Sequence, residues 1–167
     1  MAETKDNLSA AFTGESRANR KYVFFAEKAE EEGHKQIARL FRAAADAETV
    51  HAKNHLKVME GINTTAENLE EAIAGESDEF ENMYPAFIEQ GEKENQKDAV
   101  ISFKRANPVE RIHHSLYAEA LKALKGGDTL KEEVYYVCQI CGNTVGSQAS
   151  EICPICGALK SMFKKID

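Results

Sequence analysis

Four stretches of this chain place an apolar residue at every third or fourth position, and each interrupts that stripe at mid-length with glutamate. The spacing is that of amphipathic helices. The first stripe runs Leu8, Ala11, Phe12, Ala18, Tyr22, Phe25, Ala29 and the second Ile37, Leu40, Phe41, Ala44, Ala52, Met59. Leu69, Ile73, Phe80, Met83 and Phe87 make the third, and the fourth extends from Val100 through Val109 and Leu116 to Leu124. Gly33, Gly61, Gly91 and Gly126 punctuate the chain at helix-length intervals, as helix terminators do. Thr64-Thr65-Ala66-Glu67 reads as a capping box opening the third helix, and Pro108 is expected to bend the fourth or mark a local bulge in it. The architecture predicted for residues 1–125 is mainly α, a four-helix bundle.

The interruptions fall on faces that should be buried. Glu15 lies between Phe12 and Tyr22, Glu48 and His51 between Ala44 and Ala52, Glu76 and Glu79 between Ile73 and Met83, and Glu110 and His113 between Ala106 and Leu116. Unpaired carboxylates in a core are each costly, and five of them repel one another. Cations resolve the conflict: two divalent ions offset most of the charge of five carboxylates. The pairs Glu48-x-x-His51 and Glu110-x-x-His113 set an oxygen and a nitrogen donor one turn apart on one helical face. Carboxylate-rich, imidazole-poor donors suit iron or manganese, with iron the preferred reading, although the spacing also admits zinc.

An internal repeat supports this grouping. Ala11-Phe12-Thr13-Gly14-Glu15-Ser16 reappears as Ala72-Ile73-Ala74-Gly75-Glu76-Ser77, followed by Tyr22 and Tyr84 respectively. Each half supplies one lone glutamate and one Glu-x-x-His, the donor formula of di-metal carboxylate bundles. Glu79 breaks the symmetry, because Ala18 stands at the matching position. His34, His55 and His114 have no glutamate partner in the repeat and read as ordinary residues.

Histidine and cysteine are segregated along the chain. All five histidines precede residue 115, whereas all four cysteines follow residue 137. Cys138-x-x-Cys141-Gly142 and Cys153-x-x-Cys156-Gly157 form two metal knuckles whose thiolates suit a tetrahedral ion, zinc or iron on spacing alone. Gly126 and Gly127 open a linker at 126–133, leaving 134–167 as a second small domain with too few apolar residues to fold without metal. A net charge of −7 argues against nucleic acid as a partner. Neither an apolar leader nor an apolar run of membrane-spanning length is visible, so the expectation is a cytoplasmic protein without membrane attachment, its thiols kept reduced.

Together these motifs resemble the rubrerythrin family, a ferritin-like di-iron bundle followed by a rubredoxin-like Fe(Cys)4 domain. The resemblance rests on Gly14-Glu15-Ser16, Glu48-x-x-His51, Gly75-Glu76-x-x-Glu79 followed by Met83-Tyr84-Pro85, Glu110-x-x-His113 and the paired knuckles. It implies reduction of hydrogen peroxide to water at a di-ferrous centre, in the oxidative-stress defence of an anaerobe or microaerophile. Electrons would come from NAD(P)H through a reductase or rubredoxin and then through Fe(Cys)4. By position, the resemblance makes Glu48 and Glu110 bridging ligands, assigns Glu15 to one iron, and gives Glu76 and His113 to the other. Glu79 and His51 become alternative, redox-dependent ligands of the first iron. Tyr22 and Tyr84 are then either core aromatics or hydrogen-bond donors to coordinating carboxylates. Two other functions compete: a ferroxidase that sequesters iron as ferritins do, and a helical scaffold carrying a zinc ribbon.

The connection between the second and third helices reads as Gly61-Ile62-Asn63 alone. Three residues reach roughly 10 Å, whereas a ferritin-type crossover along a helix of that length needs about 40 Å. A homodimer with swapped helix pairs is therefore expected.

Overall fold

The computed structural model describes residues 3–166. Met1, Ala2 and Asp167, the outermost residues of the two expected domains, lie outside them. The chain forms two compact units, Met1–Asn63 and Thr64–Asp167.

The first unit is a helical hairpin of α1 (Thr4–Glu31) and α2 (Lys35–Val58). The chain reverses at Gly33, whose φ of +83° lies in the left-handed region that glycine enters without a Cβ penalty. Five alanines line the seam, Ala26 and Ala29 from α1 and Ala38, Ala45 and Ala52 from α2, all buried. Small side chains let the two backbones approach closely. Asn19 stitches the hairpin, donating to the Ala45 carbonyl at 2.6 Å and to Thr49 Oγ1 at 2.9 Å. The larger apolar residues of the stripes depart from expectation: Phe25, Ile37 and Leu40 are exposed. A two-helix hairpin has one seam, and only residues on it are covered.

The second unit begins with the capping box as read from the sequence. Glu67 N–H donates to Thr64 Oγ1 at 3.3 Å and Thr64 N–H to Glu67 Oε2 at 3.0 Å. The expected third helix is three segments in one run: α3 (Thr65–Asp78), a π-turn (Glu79–Met83) and α4 (Tyr84–Lys93). Tyr84 N–H donates to the Glu79 carbonyl, the i+5 bond that defines a π-turn. The last helix, α5 (Lys97–Gly126), packs along α3 and α4.

Three sequence expectations need correction. The bulge lies at Glu79–Met83 in the third helix, and α5 runs unbroken through Pro108. Gly61 does follow the end of α2, its N–H donating to the Leu56 carbonyl at 2.9 Å, but Gly91 marks no helix end, and the left-handed residues are Glu60 and Asn95, both at φ +57°. Gly91 is buried inside α4, where a Cβ would stand 2.8 Å from Val100 Cγ2, so its role is close approach to α5. Finally, the connection between α2 and α3 spans residues 59–64 rather than three residues.

Gly127, at φ +74°, terminates α5. Beyond it β1 (Tyr135–Cys138), β2 (Thr144–Gly146) and β3 (Phe163–Ile166) form an antiparallel sheet with β1 in the middle, pairing Tyr136 with Val145 on one side and with Lys165 on the other. Among the described residues no helix is long and apolar enough to cross a membrane.

Candidate metal centres

The two units carry the same donor group. In the first, one donor atom each from Glu15, Glu48 and His51 lies within 4.8 Å of the others, and in the second Glu76, Glu110 and His113 do the same. His51 Nδ1 stands 2.9 Å from Glu48 Oε2 and 3.9 Å from Glu15 Oε1; His113 Nδ1 stands 2.9 Å from Glu110 Oε2 and 3.6 Å from Glu76 Oε1. In both groups the i,i+3 pair comes from one helix and the third carboxylate from its neighbour. The second group is the more enclosed, its histidine side chain 27% exposed against 54% for His51.

Glu79 lies outside these groups yet close enough to the second to sense its charges. Its carboxyl is pushed above the usual range by burial and by the charge of Glu110. The π-turn explains its presence. The repeat offset is 61 positions from Glu15 to Glu76 but 62 from Tyr22 to Tyr84, from Glu48 to Glu110 and from His51 to His113. One residue has been added between Glu76 and Tyr84, and a π-turn is the structure that absorbs one extra residue within a helix.

Tyr22 packs against Phe25 and Phe41 at centroid distances of 6.3 and 6.1 Å. Tyr84 packs against Phe87 and Phe103, and burial, with the charges of Glu110, Glu79 and Glu76, pushes its phenol upward. Of the remaining histidines, His34 stands at the N-terminal boundary of α2 without a side-chain cap bond, and His114 meets the Phe80 ring edge-on at 5.6 Å.

Glu76 reports the electrostatic state of the second group. Burial raises its carboxyl to about 7; His113 opposes the rise, while Glu110 and Glu79 add to it. A carboxylate crowd of this kind is short of positive charge, and its oxygen and imidazole donors are those of a di-iron carboxylate site. The donor set fits such ions.

The sulfur group fits a tetrahedral ion. All four cysteines are free thiols with donor atoms within 4.8 Å of one another. Cys138 Sγ lies 3.7 Å from Cys156 Sγ, and Cys141 Sγ 3.6 Å from Cys153 Sγ. A tetrahedron of metal–sulfur bonds of about 2.3 Å separates its sulfurs by about 3.8 Å. Gly142 and Gly157 occupy left-handed positions, at φ +82° and +76°, which turns the following amides back onto the knuckles. For Cys153, burial opposes ionisation, but the Cys156 and Ile155 amides prevail and lower the thiol to about 7. Burial pushes Cys141 and Cys156 upward. The buried Asn143 amide donates to Cys153 Sγ at 3.7 Å.

One residue that sequence reasoning missed joins the two chemistries. Thr144 Oγ1 lies 3.0 Å from His113 Nε2 and donates to the Gly142 carbonyl at 3.0 Å. A threonine after a knuckle carries no motif of its own, so only the fold reveals it.

The Glu76 shift sets a pH test. Between about 4.5 and 7 the folded metal-free protein keeps a proton on Glu76 that the unfolded chain has lost, so its stability falls as pH rises through that window. Denaturant unfolding of metal-free protein should show this loss relative to Glu76→Gln, and metal loading should remove it. Parallel pH profiles for the two metal-free proteins would contradict the assignment.

Comparison with known proteins places both halves. Residues 6–121 match the family model for rubrerythrin, and residues 136–164 that for the rubrerythrin rubredoxin-like domain. Rubrerythrin-2 of Clostridium acetobutylicum is 34% identical, covering 98% of this chain and 96% of its own length. Rubrerythrin of Porphyromonas gingivalis is 35% identical over 98% of this chain and 90% of its own. The structure of fully reduced, all-ferrous nigerythrin superposes with a TM-score of 0.59 at 32% identity, covering 99% of this chain and 88% of that one. Donor groups for a di-iron site and for Fe(Cys)4 are therefore both present, on a ferritin-like helical part followed by a rubredoxin-like domain, and the chain belongs to the rubrerythrin family.

Proposed function

We propose that this chain is a non-haem di-iron peroxidase of oxidative-stress defence that reduces hydrogen peroxide to water with electrons delivered through its Fe(Cys)4 site. The observation that carries this reading is the conjunction of two Glu/Glu-x-x-His groups, a fifth carboxylate beside one of them, and a four-cysteine site whose neighbouring Thr144 is hydrogen-bonded to His113. A ferroxidase needs neither Glu79 nor the sulfur site. When bound, two ferrous ions supply the two electrons that, with two protons, convert hydrogen peroxide to two waters.

In this reading Glu48 and Glu110 would be donors to both ions, Glu15 to one, and Glu76 with His113 to the other. Glu79 and His51 would be alternative donors to the first. Their settings support unequal roles: His113 has Glu110 beside Nδ1 and Thr144 bonded at Nε2, whereas His51, more exposed, has partners at Nδ1 alone among the described residues. The π-turn brings Glu79 toward Glu110 without displacing Glu76 from its own turn. Tyr84 orients the carboxylates around Glu110, and Tyr22 is its counterpart in the first half. The electron donor is rubredoxin or an NAD(P)H-dependent reductase, in the cytoplasm.

The working form is a homodimer with swapped helix pairs, α1–α2 of one chain completing a site with α3–α5 of another. Residues 59–64 reach about 20 Å at full extension, whereas α2, with 24 residues, is about 36 Å long. That connection is too short for the crossover by which one chain would close a ferritin-type bundle. Phe24, Phe25, Ile37 and Leu40, all exposed on the α1–α2 hairpin, call for apolar cover of the kind a second copy supplies. Sedimentation of iron-loaded protein should find dimers; a monomer with full iron occupancy would refute the swap.

Stopped-flow mixing of anaerobically reduced protein with hydrogen peroxide, and separately with dioxygen, tests the activity. Peroxide should oxidise it faster, and a preference for dioxygen would favour the ferroxidase. Glu79→Ala should retain iron yet lose about 10-fold or more in peroxidase turnover; unchanged turnover would make Glu79 a bystander.

A further inference from the structure

We propose that Thr144 is a positioning residue that ties the imidazole of His113 to the peptide following Cys141, and thereby couples the di-metal donors and the sulfur site of one and the same chain.

The proton inventory fixes the direction of the bonds. Thr144 has one hydroxyl proton, and the Gly142 carbonyl, 3.0 Å away, can only accept. The hydroxyl proton therefore goes to Gly142, and the contact with His113 Nε2 at 3.0 Å has Nε2–H as donor. In a neutral imidazole the other nitrogen, Nδ1, is then left with a free lone pair. It is Nδ1 that faces Glu110 and Glu76, at 2.9 and 3.6 Å. The first sulfur knuckle thus selects the tautomer of His113 that is able to bind a metal ion.

Packing holds the link in place. Gly142 lies against Val109, which is buried and one turn before His113 on α5; a Cβ on Gly142 would stand 3.7 Å from Val109 Cγ1. Thr144 opens β2 and pairs with Val137 of β1, so its side chain is set by the sheet. From Cys141 one covalent step reaches Gly142, and two hydrogen bonds then reach the imidazole. Donor, link and acceptor all belong to the unit Thr64–Asp167. A sulfur site therefore serves the di-metal centre to which its own chain contributes His113.

This inference rests on the peroxidase reading for its kinetic consequence alone. Two electrons are required per peroxide. Each leaves the sulfur-site iron as it passes from ferrous to ferric, each returns one ferric ion of the oxidised pair to ferrous, and an external one-electron redox protein re-reduces the sulfur site.

Thr144→Val keeps the shape and removes the hydroxyl, while Thr144→Ser keeps the hydroxyl. In zinc-loaded protein, nitrogen-15 NMR should show a slowly exchanging Nε2–H on His113 in the wild type and in Thr144→Ser, lost in Thr144→Val. In iron-loaded protein, reoxidation of the reduced Fe(Cys)4 chromophore by hydrogen peroxide should slow by about 10-fold in Thr144→Val and recover in Thr144→Ser. An Nε2–H signal indifferent to Thr144→Val, or an unchanged reoxidation rate, would overturn the proposal. If wild-type protein shows the NMR signal but its reduced iron does not react with peroxide, the peroxidase reading fails while the positioning of His113 stands.

Discussion

Mutual repulsion among carboxylates is the constraint on which the rest of this structure depends. Glu15 and Glu48 share one group, and Glu76 and Glu110 share the other with Glu79 nearby. Side chains of this kind belong in water, where their charges are solvated. Here they are drawn onto helix faces that otherwise carry alanine, phenylalanine and leucine. The Glu76 carboxyl, raised first by burial and further by Glu110 and Glu79, shows the conflict, and metal ions are what resolve it. The four thiols repeat the logic in sulfur: three of them are shifted by their surroundings in different directions, and a single cation would hold all four as thiolates.

Much of this was legible in the sequence because it is periodic. Helical stripes, the Thr64–Glu67 box and the two knuckles are local patterns whose geometry follows from spacing alone. The donor groups were legible for the opposite reason, since each glutamate stands where its own helix's pattern forbids it. What escaped was set by tertiary approach. Gly91 resembles a helix stop, but its function is to let Val100 come near. Phe25, Ile37 and Leu40 belong to stripes, but a lone hairpin cannot cover them. Pro108 invites a bulge that the chain instead builds 25 positions earlier, at Met83 and the residues before it. The clue to that bulge is in the sequence, in the step of the repeat offset from 61 to 62.

Two departures from internal symmetry give the halves different characters. One inserted residue in the third helix creates the π-turn and brings a carboxylate that the first half lacks. The sulfur domain, present once per chain, clamps the histidine of the second half through Thr144 and leaves that of the first half more exposed. A duplicated helical pair thus acquires one more enclosed donor group and one more exposed one.

The most direct test of this account is an anomalous-difference map, recorded at the iron edge, of crystals grown from protein purified without added metal. The account predicts one peak against Glu15, Glu48 and His51, a second against Glu76, Glu110 and His113, and a third among the four cysteine sulfurs. Absence of density at both glutamate groups, with their carboxylates turned into solvent, would contradict it.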